Sequence, residues 1–262
     1  MREMNQAEQF PLWGKFLEYT AKFDGFDSGV KLKIAHTWAV TENICLLCEL
    51  LHLSFDQKRV AYACGVFHDI GRFEQLCRYN TLCDKASFDH GAFGADFLNG
   101  TDLLNDYSQR EKELITTAIR NHNKLYVEEG LDTEESLYCH LVRDADKIDA
   151  FRVNCTQSYL NFFGVDRETL SCETISDSVV IAALEHRTAK YDEYQSHLDD
   201  LVGSLCFFFD MHFAESIKLA KERGFYRKAL DCLCIKDEHT RRNLDIVLDT
   251  VEAFIADKIK GI

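Results

Sequence analysis

The sequence predicts an all-α protein, and three observations carry that expectation. The 262 residues contain one proline, Pro11, so almost nothing removes a donor from a helical hydrogen-bond ladder. Apolar residues recur at three- and four-residue steps, the spacing that lines one face of a helix. Strand-like alternation is rare along the chain.

The elements follow in order. Ala35, Trp38, Ala39, Ile44, Leu47 and Leu51 mark a first long helix, and Val60, Cys64 and Phe67 a second. Leu114, Ala118 and Ile119 mark another, and Leu141, Ala145 and Ile148 fall in one expected over 137–153. Polar or Gly-bearing segments at 24–29, 54–56, Gly71 onward, 99–106, 128–134 and 164–178 predict the breaks. Further helices are expected from Val179 to Leu184, Leu198 to His212, Ala214 to Glu222 and Arg241 to Lys258. In the last, Leu244, Val247, Leu248, Val251 and Phe254 sit at helical intervals, a packing face. The expected organisation is one all-α domain over 1–262, with a core at about 30–155 and a C-terminal helical extension at about 156–262 packed on it.

Composition narrows the function. With 46% hydrophobic and 28% charged residues the chain reads as globular and neither disordered nor fibrous. The longest apolar runs, Val179 to Leu184 and Leu205 to Phe209, fall short of the roughly 20 residues of a membrane span. Met1 to Phe10 is polar and holds no signal-peptide core, so a cytoplasmic location is expected. Thirty Lys+Arg against 44 Asp+Glu leave a net charge of −14. That field disfavours nucleic-acid polymers and membrane surfaces as partners. Eleven scattered cysteines, among them Cys45, Cys48 and Cys64, read as reduced core residues. Cys232 and Cys234, with no second close pair, are too few for a zinc knuckle.

The most informative segment is Val66-Phe67-His68-Asp69-Ile70-Gly71-Arg72. Adjacent side chains point about 100° apart on a helix, so His68 and Asp69 can reach neighbouring positions around one ion cluster; Gly71 is expected to let the chain turn. Alone, such a pair also fits a surface or cap position. Its company is His36 in an apolar helix, His90 in Phe88-Asp89-His90-Gly91, His122 after Arg120-Asn121, and Asp144-Ala145-Asp146-Lys147-Ile148-Asp149. His122 follows Leu114 and Ala118 at four-residue steps, so it faces the core. A buried neutral imidazole must satisfy both nitrogens, and a metal on one is one way to do so; an ordinary core histidine is the other.

In order and context, residues 30–155 resemble the HD-domain metal-dependent phosphohydrolases. The resemblance implies an HD-type helical core with additional C-terminal helices. It also implies one divalent metal held by His36, His68, Asp69 and Asp146, with Asp144 as the substitute for Asp146. His90 and His122 resemble the further histidines of members with two metals, with Asp69 bridging; in one-metal members such histidines contact the phosphate or protonate the leaving group. Catalysis would then rest on Asp69, His90 and His122. Mixed imidazole and carboxylate donors suit Fe, Mn, Co, Ni or Zn, with Mg possible. A divalent ion brings the pKa of bound water toward about 7, so hydrolysis of a phosphate ester by a metal-bound hydroxide is the implied reaction.

Phosphate oxygens also need cations. Arg72, Lys124 and Lys147 are the nearest substrate-binding candidates, and Arg78 and Arg152 rank behind them. Glu42 could assist a proton transfer, and Tyr159, Phe162 or Phe163 could close a pocket. The expected partner is a small phosphorylated molecule such as a nucleotide; the Gly-Tyr-Pro signature of the cyclic-dinucleotide branch is missing after His122, where Asn123-Lys124-Leu125-Tyr126 stands. Two other functions use the same donors: a di-iron oxygenase, and a non-catalytic module that senses a ligand.

Overall fold

The computed structural model describes residues 6–156, 164–231 and 233–262, with side chains from residue 11 onward. Every regular element among these residues is a helix. The chain forms two compact units, 1–146 and 147–262, whose boundary falls within one long helix.

The first unit contains α1 (Gln6–Thr20), α2 (Ser28–Leu50), α3 (Phe55–Phe67), α4 (Ile70–Tyr79), α5 (His90–Asn99), α6 (Gln109–Asn121) and most of α7 (Thr133–Thr156). Helix starts are written locally. The Asp27 carboxylate accepts from Val30 N–H at 2.9 Å to cap α2. Ser54 with Gln57 and Ser108 with Glu111 form reciprocal capping boxes on α3 and α6; each such cap is worth about 1 kcal/mol. Ile44, Leu47, Phe67, Phe73 and Ile119 are fully buried in this unit's core. A Cβ on Gly65 would lie 3.1 Å from Thr41 Cα, so that glycine lets α2 and α3 approach closely.

Several expectations need correction. Gly71 is not where the chain turns: it lies inside α4, and the breaks fall before it, at His68 and Asp69, and after Tyr79. Asn80 ends α4 in the left-handed region, at φ 49° and ψ 40°. What Gly71 provides is room, because a Cβ there would lie 2.3 Å from the His90 carbonyl oxygen.

In the second unit the expected break at 164–178 contains α8 (Arg167–Cys172), capped by Asp166, and the start of α9 (Asp177–Leu184). The 198–212 segment divides into α10 (His197–Gly203) and a 3-10 turn, Ser204–Asp210. Gly224, at φ 65°, ends α11 (Ala214–Arg223), and α12 (Phe225–Asp231) follows, a helix too short for the apolar spacing to show. Residues Glu238–Lys258 form α13, whose buried Val247, Val251 and Ile255 keep the expected face. Phe208 stacks on Phe151 at 4.9 Å and meets Tyr226 at 5.0 Å, so this aromatic cluster is core. No disulfide links the described cysteines. Tyr159, Phe162, Phe163 and Cys232 lie outside the described residues. No described helix is long and apolar enough to cross a membrane.

Candidate metal centre

Asp69 occupies the N-cap position of α4, where an aspartate ordinarily accepts from the next turn. Its side chain makes no cap bond and lies among four imidazoles. Oδ2 is 3.5 Å from His36 Nε2 and 3.5 Å from His68 Nε2. Oδ1 is 3.3 Å from His90 Nε2 and 3.6 Å from His122 Nε2. The Nε2 atoms pair likewise, 3.3 Å between His36 and His68 and 3.0 Å between His90 and His122. Asp146 Oδ1 closes on His36 Nε2 at 3.0 Å. Two donor groups result, His36 with His68 and Asp69, and Asp69 with His90 and His122, all buried.

Each histidine is delivered by a helix end or face. His36 lies on the inner face of α2, and His68 ends α3. His90 opens α5 behind the capping Asp89, and His122 ends α6. Asn43 of α2 donates to the Ala145 carbonyl at 2.9 Å, which registers α7 against α2 and brings Asp146 opposite His36. Arg143, buried, donates to the carbonyls of Asn121, His122, Lys124 and Leu125. That guanidinium holds the chain where α6 ends, and with it His122.

The outer ring nitrogens decide what the inner ones present. His68 Nδ1 is 2.9 Å from the Gly65 carbonyl and His122 Nδ1 2.6 Å from the Ile119 carbonyl. A carbonyl only accepts, so both Nδ1 atoms carry the proton and both Nε2 atoms present lone pairs inward. Burial lowers both pKa values, that of His68 to about 4, despite the neighbouring carboxylates. Burial alone would raise the Asp69 pKa, but the Lys33 ammonium outweighs it and holds it well below the carboxylate range. Burial opposes, and His36 overrides, at Asp146 in the same way. Inward lone pairs at van der Waals distance around an ionised carboxylate repel one another unless a cation joins them. The donor set therefore fits a divalent metal, and mixed nitrogen and oxygen donors suit first-row ions.

Cations border the cluster. Lys33, one helical turn before His36, donates to Asp69 Oδ2 at 2.7 Å; its side chain is 15% exposed, and sequence reasoning missed it. Arg72 Nε is 3.6 Å from Asp69 Oδ1 and, though buried, has no hydrogen-bond acceptor among the described residues. Lys124 ion-pairs with Asp89, and no hydrogen bond or ion pair joins it to the six candidate ligands among the described residues. In the second unit, Lys147 Nζ is 2.7 Å from Asp210. Arg78 pairs with Glu74 and Arg152 with Asp149, while Glu42 is exposed. Asp84, also missed, accepts from His90 Nδ1 at 2.8 Å.

The family model of the HD domain matches residues 34–150, a span that includes all six candidate ligands. Over that span the sequence is similar to the HD domain, a family whose members are generally metal-dependent hydrolases. No curated protein and no solved structure matches it.

Proposed function

We propose that this protein is a metal-dependent phosphohydrolase that acts on a small phosphate ester or nucleotide. The observation that carries the reading is Asp69, each oxygen facing its own pair of buried imidazoles. His36, His68, Asp69 and Asp146 would hold a first ion, and Asp69, His90 and His122 a second. A divalent ion bound there supplies a Lewis acid for phosphate oxygens and a water acidic enough to react at neutral pH.

The chain's own residues do the rest. Ionised Asp69 accepts a proton-bearing neighbour through either oxygen and fixes its direction. Lys33 gives one proton to Asp69, its one partner among the described residues, so two ammonium protons are left for anionic oxygens of a substrate. Arg72 Nε offers another donor beside Asp69. Cations in that place offset charge as it spreads over the phosphoryl oxygens, which a chain of net charge −14 could not do by its overall field.

The test is a panel of nucleotides and sugar phosphates incubated with Mn, Fe, Co, Ni or Mg, scored for released inorganic phosphate. Release that His68→Ala abolishes supports the reading. Oxygen uptake without phosphate release would replace it with the di-iron chemistry that the same donors serve.

A further inference from the structure

The three outer ring nitrogens described above are not equivalent. His68 and His122 lean on backbone carbonyls of their own helices. His90 leans on a side-chain carboxylate: its Nδ1 is 2.9 Å from Asp84 Oδ1 and 2.8 Å from Oδ2. Asp84 sits on a short 3-10 segment, Asp84–Ala86, between α4 and α5, and it is held from several sides. Arg72 Nη1 donates to it at 2.8 Å, Gln75 Nε2 at 2.9 Å and Asn123 Nδ2 at 3.0 Å. Gln75 is fully buried and also donates to Ser87 Oγ at 2.8 Å and the Phe88 carbonyl at 3.1 Å. Such stitching fixes a loop carboxylate as firmly as a helical one.

A carboxylate behind an imidazole sets the tautomer, fixes the ring plane and makes the far nitrogen a stronger donor. The group around His90 has more need of that help. It comprises three protein donors, Asp69, His90 and His122, whereas Asp146 reaches His36 as a fourth on the other side.

We infer that Asp84 is a positioning residue that sets the affinity of the ion at His90 and His122 independently of the ion at His36 and His68, an inference that rests on the two-ion reading above. The arrangement gives the two ions different dependences on the protein. The first answers to residues on helices or at their ends; the second answers also to a loop whose carboxylate is reached through Arg72, Gln75 and Asn123.

The experiment is a Mn²⁺ titration of the full chain, read by calorimetry and by the electron paramagnetic resonance signal of a coupled ion pair. Wild type, Asp84→Asn and Asp84→Ala are compared, with thermal melting as a fold control. Asp84→Asn keeps shape and an acceptor but removes the charge. Expected is a two-step wild-type titration in which Asp84→Asn weakens the second step about 10- to 100-fold, leaves the first, and loses the coupled signal. Two ions bound at wild-type affinity in both variants would overturn the inference and leave the two-ion reading standing. Equal weakening of both steps with a lowered melting temperature would also overturn it, since a merely structural loop acts that way. One ion in the wild type would overturn the two-ion reading, and this inference with it.

Discussion

Gly71 and His90 meet backbone to backbone: a single added Cβ on the glycine would sit 2.3 Å from the histidine's carbonyl oxygen. The contact sets the distance between the helix that follows Asp69 and the helix that His90 opens. Gly71→Ala should therefore push α5 away from α4, costing about 1–3 kcal/mol of stability and weakening metal binding on the His90 side. Urea unfolding and metal content check both; a variant with unchanged midpoint and full metal would sink the account.

Asp69 contributes to both donor groups, whereas His122 contributes to one. Asp69→Asn is expected to lose bound metal altogether and to reduce turnover by more than about 100-fold, the upper range for losing even an outer partner. His122→Ala should retain half the metal. Elemental analysis of the dialysed variants separates the two outcomes.

Lys33→Met removes a cation without removing a proposed ligand. The Michaelis constant for a phosphorylated substrate should rise about tenfold, the loss of one charge-assisted bond of about 1.5 kcal/mol. Metal stoichiometry should hold. An unchanged Michaelis constant would show that the ammonium serves Asp69 alone.

Arg143→Met takes a buried donor away from the Asn121, His122 and Leu125 carbonyls at the end of α6. A loss of about 3 kcal/mol is expected, with weakened metal binding at His122. Denaturant unfolding alongside metal titration tests the pair.

Protonation gives a direction for pH. The folded pKa of His68, about 4, lies below its ordinary 6.5 because burial disfavours the charged ring. The unfolded chain therefore takes up the proton first. Stability from the neutral ring is complete above about pH 6.5 and is lost as pH falls toward 4, by about 3 kcal/mol. Urea midpoints measured in EDTA at pH 7 and pH 4.5 should show this fall in the wild type and a smaller one in His68→Gln. Parallel pH slopes in the two proteins would contradict it.

Much of the first unit was legible because its signals are local. Proline scarcity and apolar spacing mark the helices, and Ser54-x-x-Gln57 and Ser108-x-x-Glu111 mark their starts. The candidate ligands were legible because histidine and aspartate in that order resemble the HD-domain pattern. Lys33 could have been found, since residues three apart share a helix face and it precedes His36 by three. Asp84 could not: it lies on a polar loop without periodicity, and its pairing with His90 is tertiary. Lys124 shows the converse, because being two residues from His122 did not stop it turning to Asp89. A lone glycine gives no clue whether it serves a bend or a tight crossing, so Gly71 was read as the former.

The candidate donors are far apart along the chain, 32 positions separating His36 from His68 and another 32 separating His90 from His122. Ions gripped between them, as proposed, would act as removable cross-links, each tying off a long loop that would otherwise be free in the unfolded chain. Uptake of metal and resistance to heat or proteases then become one thermodynamic quantity, and scavenging the ion loosens the scaffold as well as silencing its chemistry.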